Sequence, residues 1–143
     1  MSSSIEQSVE QSVLARLISD APHPSGVPVV LRYRRSDPLA VRMVFPAEVC
    51  LSESAVTWTF ARSLLDGGLR APTGDGDVHI WPCTRSQTMV ELRSPEGVAL
   101  LQFDTASLRR FLLHTYAAVP AAHESAAMDI ERALAALLGE ARG

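Results

Sequence analysis

The chain has 143 residues, and its 13 basic and 16 acidic side chains leave a formal net charge of −3; every basic residue is Arg. With 47% hydrophobic and 20% charged residues it has a globular composition, which excludes disorder as the dominant state. The lack of a basic excess disfavours sequence-independent nucleic-acid binding.

A chain of this length buries about two-thirds of its unfolded surface, enough for one core, and is expected to form a single domain over 1–143. Its first residues, Met1 to Gln7, are polar and acidic where a secretory signal would be basic and then apolar, so no targeting segment is expected. No window reaches the roughly 20 apolar residues of a membrane span. Cys50 and Cys83 are too few for a disulfide framework and are expected to be reduced thiols of a cytosolic protein.

In chain order, residues 1–8 form a polar leader that is expected to fray. Val9 to Ser19 fits both a helix stripe and a strand, and the strands that follow favour a strand. Asp20 to Gly26 holds two prolines and a glycine and predicts a loop. Val29 to Arg35 is the clearest strand: Val29, Leu31 and Tyr33 face one way, and Arg32 and Arg34 the other. Ser36-Asp37-Pro38 supplies a turn. Val41, Met43 and Phe45 carry the return strand, Pro46 to Ser54 connects, and Val56, Trp58 and Phe60 alternate with Thr57 and Thr59 in a third.

Ala61 to Asp66 predicts a short helical turn closed by Gly67-Gly68. Pro72 to Asp77 predicts a tight loop. A strand starts at Val78 and Ile80, and Pro82 ends it or confines it to an edge. Val90 and Leu92 mark another strand, Ser94-Pro95-Glu96-Gly97 a turn, and Val98 to Phe103 the most buried strand. Asp104 or Thr105 caps a helix that places Leu108, Phe111, Leu112 and Thr115 or Tyr116 on one side; Val119-Pro120 stops it. A last helix covers roughly Ser125 to Glu140, with Met128, Ile130, Leu134, Leu137 and Leu138 apolar. About seven antiparallel strands followed by helices predict an α+β fold.

Chemistry is hard to find in this pattern. His23, His79, His114 and His123 lack the spacing that puts two metal ligands on one helix face. His79 and Cys83 are four residues apart, but Pro82 breaks the geometry between them. No nucleophile elbow or phosphate-binding loop occurs. Asp75 and Asp77 could share a hard cation. A calcium loop of the EF-hand type, however, needs about 12 positions ending in Glu, where this chain has Ser86. Gly74 and Gly76 are therefore read as turn residues.

Arg32, Arg34 and Arg42, with Arg35 at the turn, form either a solvated sheet face or a patch for an acidic partner; they are the candidate partner-binding residues. Trp58 and Trp81 serve either core packing or a stacking platform.

Leu31-Arg32-Tyr33, then Asp37-Pro38 and Ala40-Val41, resemble the start of the SsgA-like proteins. Phe60-Ala61-Arg62-Ser63-Leu64-Leu65 with Gly68-Leu69 is similar to a second segment of that family. Pro72 to Pro82 resembles its most recognisable run. Ser94-Pro95-Glu96-Gly97, Ala99-Leu100-Leu101 and Val119-Pro120 complete the order, and the match runs over about residues 27–138. The resemblance implies a fold like the Whirly type and a role in sporulation-specific division of filamentous actinobacteria. An Arg-only basic complement fits such a high-GC source.

It further implies a non-enzymatic cytoplasmic protein at septum sites, without cofactor or metal, whose family forms trimers. SsgB-type members recruit the tubulin-like division protein FtsZ and work with an SsgA-type relative. The resemblance names no partner-binding residue. In it, Gly74, Gly76 and Pro82 have structural roles, and Trp81 anchors the sheet on a helix. A single-stranded nucleic-acid-binding module is the alternative, motivated by the fold resemblance, the Arg-bearing hairpin and the two tryptophans. The net negative charge opposes it.

Overall fold

In this computed structural model, residues 8–20, 25–47, 50 and 54–142 are described. The expected leader up to Gln7 and most of the expected loop from Ala21 to Pro24 lie outside them, as does much of the connection after Pro46. The described elements are β1 (Ser8–Leu17), β2 (Ser25–Arg34), β3 (Ala40–Phe45), β4 (Val56–Ala61), α1 (Arg62–Gly68), β5 (Thr73–Asp75), β6 (Val78–Pro82), β7 (Gln87–Ser94), β8 (Gly97–Asp104), α2 (Thr105–Ala118) and α3 (Ala121–Arg142). The fold is α+β, as expected, with eight strands among the described residues rather than seven.

The sheet order is β4-β3-β2-β1-β8-β7-β6-β5, so two four-stranded meanders share one sheet. They meet where β1 crosses β8 at Arg16↔Gln102 and Leu17↔Leu101, extended by Ile18 N–H donating to Leu100 O at 2.9 Å. Every strand pairing is antiparallel. β1 pairs with β2 over ten positions, from Ser8↔Arg34 to Leu17↔Ser25, which resolves its ambiguous pattern in favour of a strand. The period-2 alternation decides which residues form the core: Val27, Val29, Leu31 and Tyr33 of β2 and Val41, Met43 and Phe45 of β3 are buried on one face. α2 adds Leu108, Phe111 and Leu112 to the same core, on the expected side of the helix.

Four expectations change. Ser25 and Gly26 belong to β2, not to the loop before it, because the full length of β1 is there to pair with. Thr73 to Asp75 is a strand, pairing Thr73↔Ile80 through Asp75↔Val78; the turn itself is only Gly76-Asp77, with Gly76 at φ 63°. Gly74 is therefore a strand residue, and the His79 ring lies where its Cβ would be, with Cδ2 2.1 Å from that point. β8 is not the most buried strand: Leu101 and Phe103 are buried, but Val98 is 60% exposed, because only one face of the sheet carries the core.

The fourth change concerns Gly67 and Gly68, which lie inside α1; Leu69, in a right-handed conformation, follows as its C-cap. Gly68 is small for a packing reason. A Cβ there would fall 2.4 Å from Ile80 Cγ2 and 3.1 Å from Ile80 O, so α1 can lie this close to β6 only without a side chain. Pro82 behaves as expected. β5 reaches only Ile80, so Pro82 ends β6 beyond it and leaves that ladder intact.

Arg62, the first residue of α1, is 0% exposed. Its Nη1 donates to Val119 O at 2.8 Å, to Thr115 O at 3.1 Å and to Thr115 Oγ1 at 3.4 Å. These acceptors stand at the C-terminal end of α2, where the helix macrodipole favours a cation; Thr115 O also accepts from Val119 N–H, at 2.8 Å. The guanidinium carbon also lies 4.9 Å from the Tyr33 ring centre and 4.4 Å from that of Tyr116. Tyr33 donates to Pro38 O at 3.0 Å, and Tyr116 donates to Asp66. One cation thus ties α1 to β2, to the β2–β3 turn and to the end of α2.

The close fit of α1 on β6 predicts that Gly68→Ala destabilises the fold by about 1–3 kcal/mol, the usual range for overpacking. Urea unfolding monitored by circular dichroism measures it. A change within about 0.5 kcal/mol, the range of a neutral surface substitution, would show that α1 is free to shift.

Candidate interaction surface

The three candidate arginines stand on the face of the sheet opposite the core, as the alternation predicts. Arg32 of β2 and Arg42 of β3 are direct cross-strand partners. Two like charges at that spacing repel, and each is held beside an acid. Arg32 Nε donates to Glu10 Oε2 at 2.6 Å, with Glu10 directly opposite it on β1. Arg42 Nη2 donates to Asp37 Oδ2 at 2.8 Å in the β2–β3 turn. The row Glu10–Arg32–Arg42 with Asp37 is therefore charge-matched. Arg34 is exposed at the next position along β2, opposite Ser8. The structure brings Arg32 and Arg42 together and gives both an acid that sequence reasoning did not assign. The signal was present: Glu10 lies on the polar positions of β1, in register with β2 only once the hairpin closes.

The tryptophans separate. Trp58 is half-buried and packs against the core, as its β4 alternation requires. Trp81 does not anchor the sheet on a helix. Its neighbour Ile80 points into the core against α1, so Trp81 points to the opposite face, where its cross-strand partner Met89 is buried outside the main core cluster. The two rings are on different faces and form no common stacking platform.

A further feature lies on the core side of the sheet, around Phe45 and Leu101. Phe45, Val56, Trp58, Leu92, Ala99 and Leu101 line an apolar groove of about 690 Å³ there. Cys50 lies at its rim and is a free thiol, as is the exposed Cys83.

The remaining polar groups assemble little chemistry. His79 Nδ1 is 3.5 Å from Glu91 Oε1, which also accepts from Arg93 Nε at 3.2 Å. Thr88 and Thr105 share a buried hydroxyl–hydroxyl bond of 2.7 Å that seats the start of α2 on β7. Asp104 stands at the N-cap of α2, but its carboxylate accepts from Gln87 at 3.0 Å rather than from the helix. Among the described residues no group of three or more His, Cys, Asp and Glu side chains could hold a metal ion. No described helix is long and apolar enough to cross a membrane.

Comparison with known proteins places this arrangement. Residues 27–124 match the family model "Streptomyces sporulation and cell division protein, SsgA". The sporulation-specific cell division protein SsgB of Streptomyces coelicolor is 41% identical over 129 residues, covering 87% of this chain and 91% of that one. SsgB of Frankia casuarinae is 37% identical over 134 residues, 92% of each chain. Two solved structures share the fold. One is the crystal structure of an SsgA-like sporulation-specific cell division protein from Thermobifida fusca, with TM-score 0.74 and 37% identity over 94% of this chain and 98% of that one. The other comes from work on SsgB mutations that correlate to longitudinal cell division during sporulation of Streptomyces coelicolor. It has TM-score 0.75 and 39% identity over 85% of this chain and 95% of that one.

Because Arg32 and Arg42 already hold carboxylates, the chain is expected to leave single-stranded oligonucleotides unshifted in a gel at about 50 mM salt, where electrostatic binding is strong. Retardation there would show that these cations are available to phosphates.

Proposed function

The chain belongs to the SsgA family of sporulation and cell division proteins and has a role in sporulation cell division, and we propose that it is a non-enzymatic adaptor of sporulation-specific septation. In this reading it marks septum sites on the cytoplasmic side and recruits or activates FtsZ there. It works with an SsgA-type relative and as a homo-oligomer, without cofactor, metal or nucleic acid. The observation that carries the reading is similarity to SsgB proteins along nearly the whole chain, at 37% and 41% identity.

The physical form suits that task. An adaptor needs surfaces rather than a reactive centre, and this fold presents an outer sheet face, an open apolar groove and an exposed helix on one rigid sheet. Several copies held together would turn weak single contacts with a polymer into firm attachment, because the second contact becomes intramolecular.

Co-sedimentation is the direct test. The chain is expected to pellet with FtsZ polymerised by GTP and to stay in the supernatant with unpolymerised FtsZ. A folded chain that pellets with neither the polymer nor the polymer plus an SsgA-type partner would remove the adaptor mechanism.

A further inference from the structure

β4 is the last strand at one end of the sheet, and only one of its sides is paired. Arg62 N–H donates to Leu39 O at 2.8 Å, which fixes the phase of the β3–β4 ladder. With Val41↔Phe60, Met43↔Trp58 and Phe45↔Val56 in register, the backbone groups of Phe60, Trp58 and Val56 point to β3. Those of Thr57 and Thr59 point off the edge, where no described residue pairs with them.

This edge is unguarded. Open N–H and C=O groups recruit other strands, so natural edges carry charges, proline or a bulge, or are very short or covered. β4 reads Val-Thr-Trp-Thr-Phe-Ala, six residues without a charge, a proline or a glycine. β5, at the other end of the sheet, has only three residues, among them Gly74 and Asp75. α3 approaches the end of β4 without closing it: a cleft of about 500 Å³ lies between Phe60 and Ala61 on one side and Glu131, Arg132 and Ala135 on the other.

The backbone admits an extended peptide, and the two hollows along β4 specify its side chains. Residues directly opposite one another in a sheet share a face. Those set against Phe60, Trp58 and Val56 fall on the core side, toward the cleft at one end of β4 and the apolar groove of about 690 Å³ at the other. Apolar side chains suit these positions. Those set against Thr57 and Thr59 fall on the outer face, where both threonines are exposed, and suit polar β formers. Charge marks one end. Among the described residues Glu96 is the one charged side chain lining the groove, and it is exposed. An antiparallel partner, as at every other pairing in this sheet, runs from Ala61 toward Val56, so its C-terminal end arrives on the Glu96 side.

We propose that the free edge of β4 binds an extended peptide of a protein partner by antiparallel strand addition. The segment it takes has apolar side chains at alternate positions and a basic C-terminal end. Main-chain bonds with Thr57 and Thr59 hold the peptide, and the hollows beside Phe60, Trp58 and Val56 select it.

The peptide Thr-Val-Thr-Val-Thr-Val-Arg-Arg, labelled with fluorescein and titrated with the full chain, tests this by anisotropy. Saturable binding is expected, together with slower amide exchange at Thr57 and Thr59. Thr59→Pro removes an outward N–H and leaves the β3 ladder intact, the setting in which edge strands accept proline. It is expected to weaken binding at least about tenfold, whereas Thr59→Val, which keeps the N–H, stays within about threefold. Glu96→Gln is expected to weaken binding about threefold at low salt. One arm leaves the protein unchanged: N-methylation of the peptide's threonine amides, which face β4, is expected to abolish binding, and N-methylation of its valine amides to preserve it. No saturable binding up to about 1 mM, or equal binding of the two methylated peptides, would overturn the proposal. So would Thr57 and Thr59 amides that exchange slowly before peptide is added, because the edge would then be occupied by another copy of the chain. The proposal goes beyond the adaptor reading and is read without FtsZ: a chain that binds the peptide but never pellets with the polymer counts against the adaptor alone.

Discussion

A single guanidinium, buried between two tyrosine rings and aimed at the end of a helix, sets how the helical layer sits on this sheet. Arg62 could not be placed there without partners, since burying an unpaired cation costs many kcal/mol. The structure surrounds it with acceptors: Thr115 O, which also accepts from Val119 N–H, and Val119 O just past the end of α2, which no later turn of that helix can satisfy. Hydrogen bonds from a charged donor contribute about 1.5–3 kcal/mol each, and the two flanking rings add the cation–π attraction of a desolvated site. A lysine could supply the charge but not the planar group that stacks on rings while its N–H reaches sideways.

This arrangement brings three distant segments of the chain to one point. Tyr33 supplies one ring and fastens the turn at Pro38; Arg62 supplies the cation; Val119 supplies the strongest acceptor just before Pro120 ends the helix. Where α2 stops decides where α3 starts, so the same cation sets the direction in which the exposed apolar helix leaves the body. The sheet and the first two helices form a closed structural unit, while α3, the groove and the outer face are what the unit presents.

Much of this was legible in the sequence, for reasons that differ by element. β2, β3 and β4 alternate strictly because each has one buried face, so Val29, Leu31 and Tyr33 or Val41, Met43 and Phe45 could be assigned inward without a structure. α2 was legible because its buried side repeats at helical spacing. β5 was not, because three residues carry no period and two glycines look like a turn. Val98 misled because an apolar residue at a hairpin end can stay in solvent. Trp81 misled because size suggested the core, while its position, one after Ile80, dictates the other face. The candidate arginines were placed on the right face, yet their neutralisation by Glu10 and Asp37 depends on strand register, which a linear pattern does not contain. Arg62 left one trace. A cation in the first turn of a helix opposes the macrodipole, and a local conflict of that kind marks a residue recruited by tertiary structure.

The central claim is that Arg62 holds the end of α2 and thereby sets the departure of α3. Amide hydrogen exchange on the native chain and on Arg62→Met measures this most directly. The account predicts that the last turn of α2 and the first of α3 lose protection roughly 100-fold, equivalent to about 3 kcal/mol of local opening, while the β7–β8 hairpin changes far less. Equal loss of protection in the hairpin, or none at the end of α2, would contradict it.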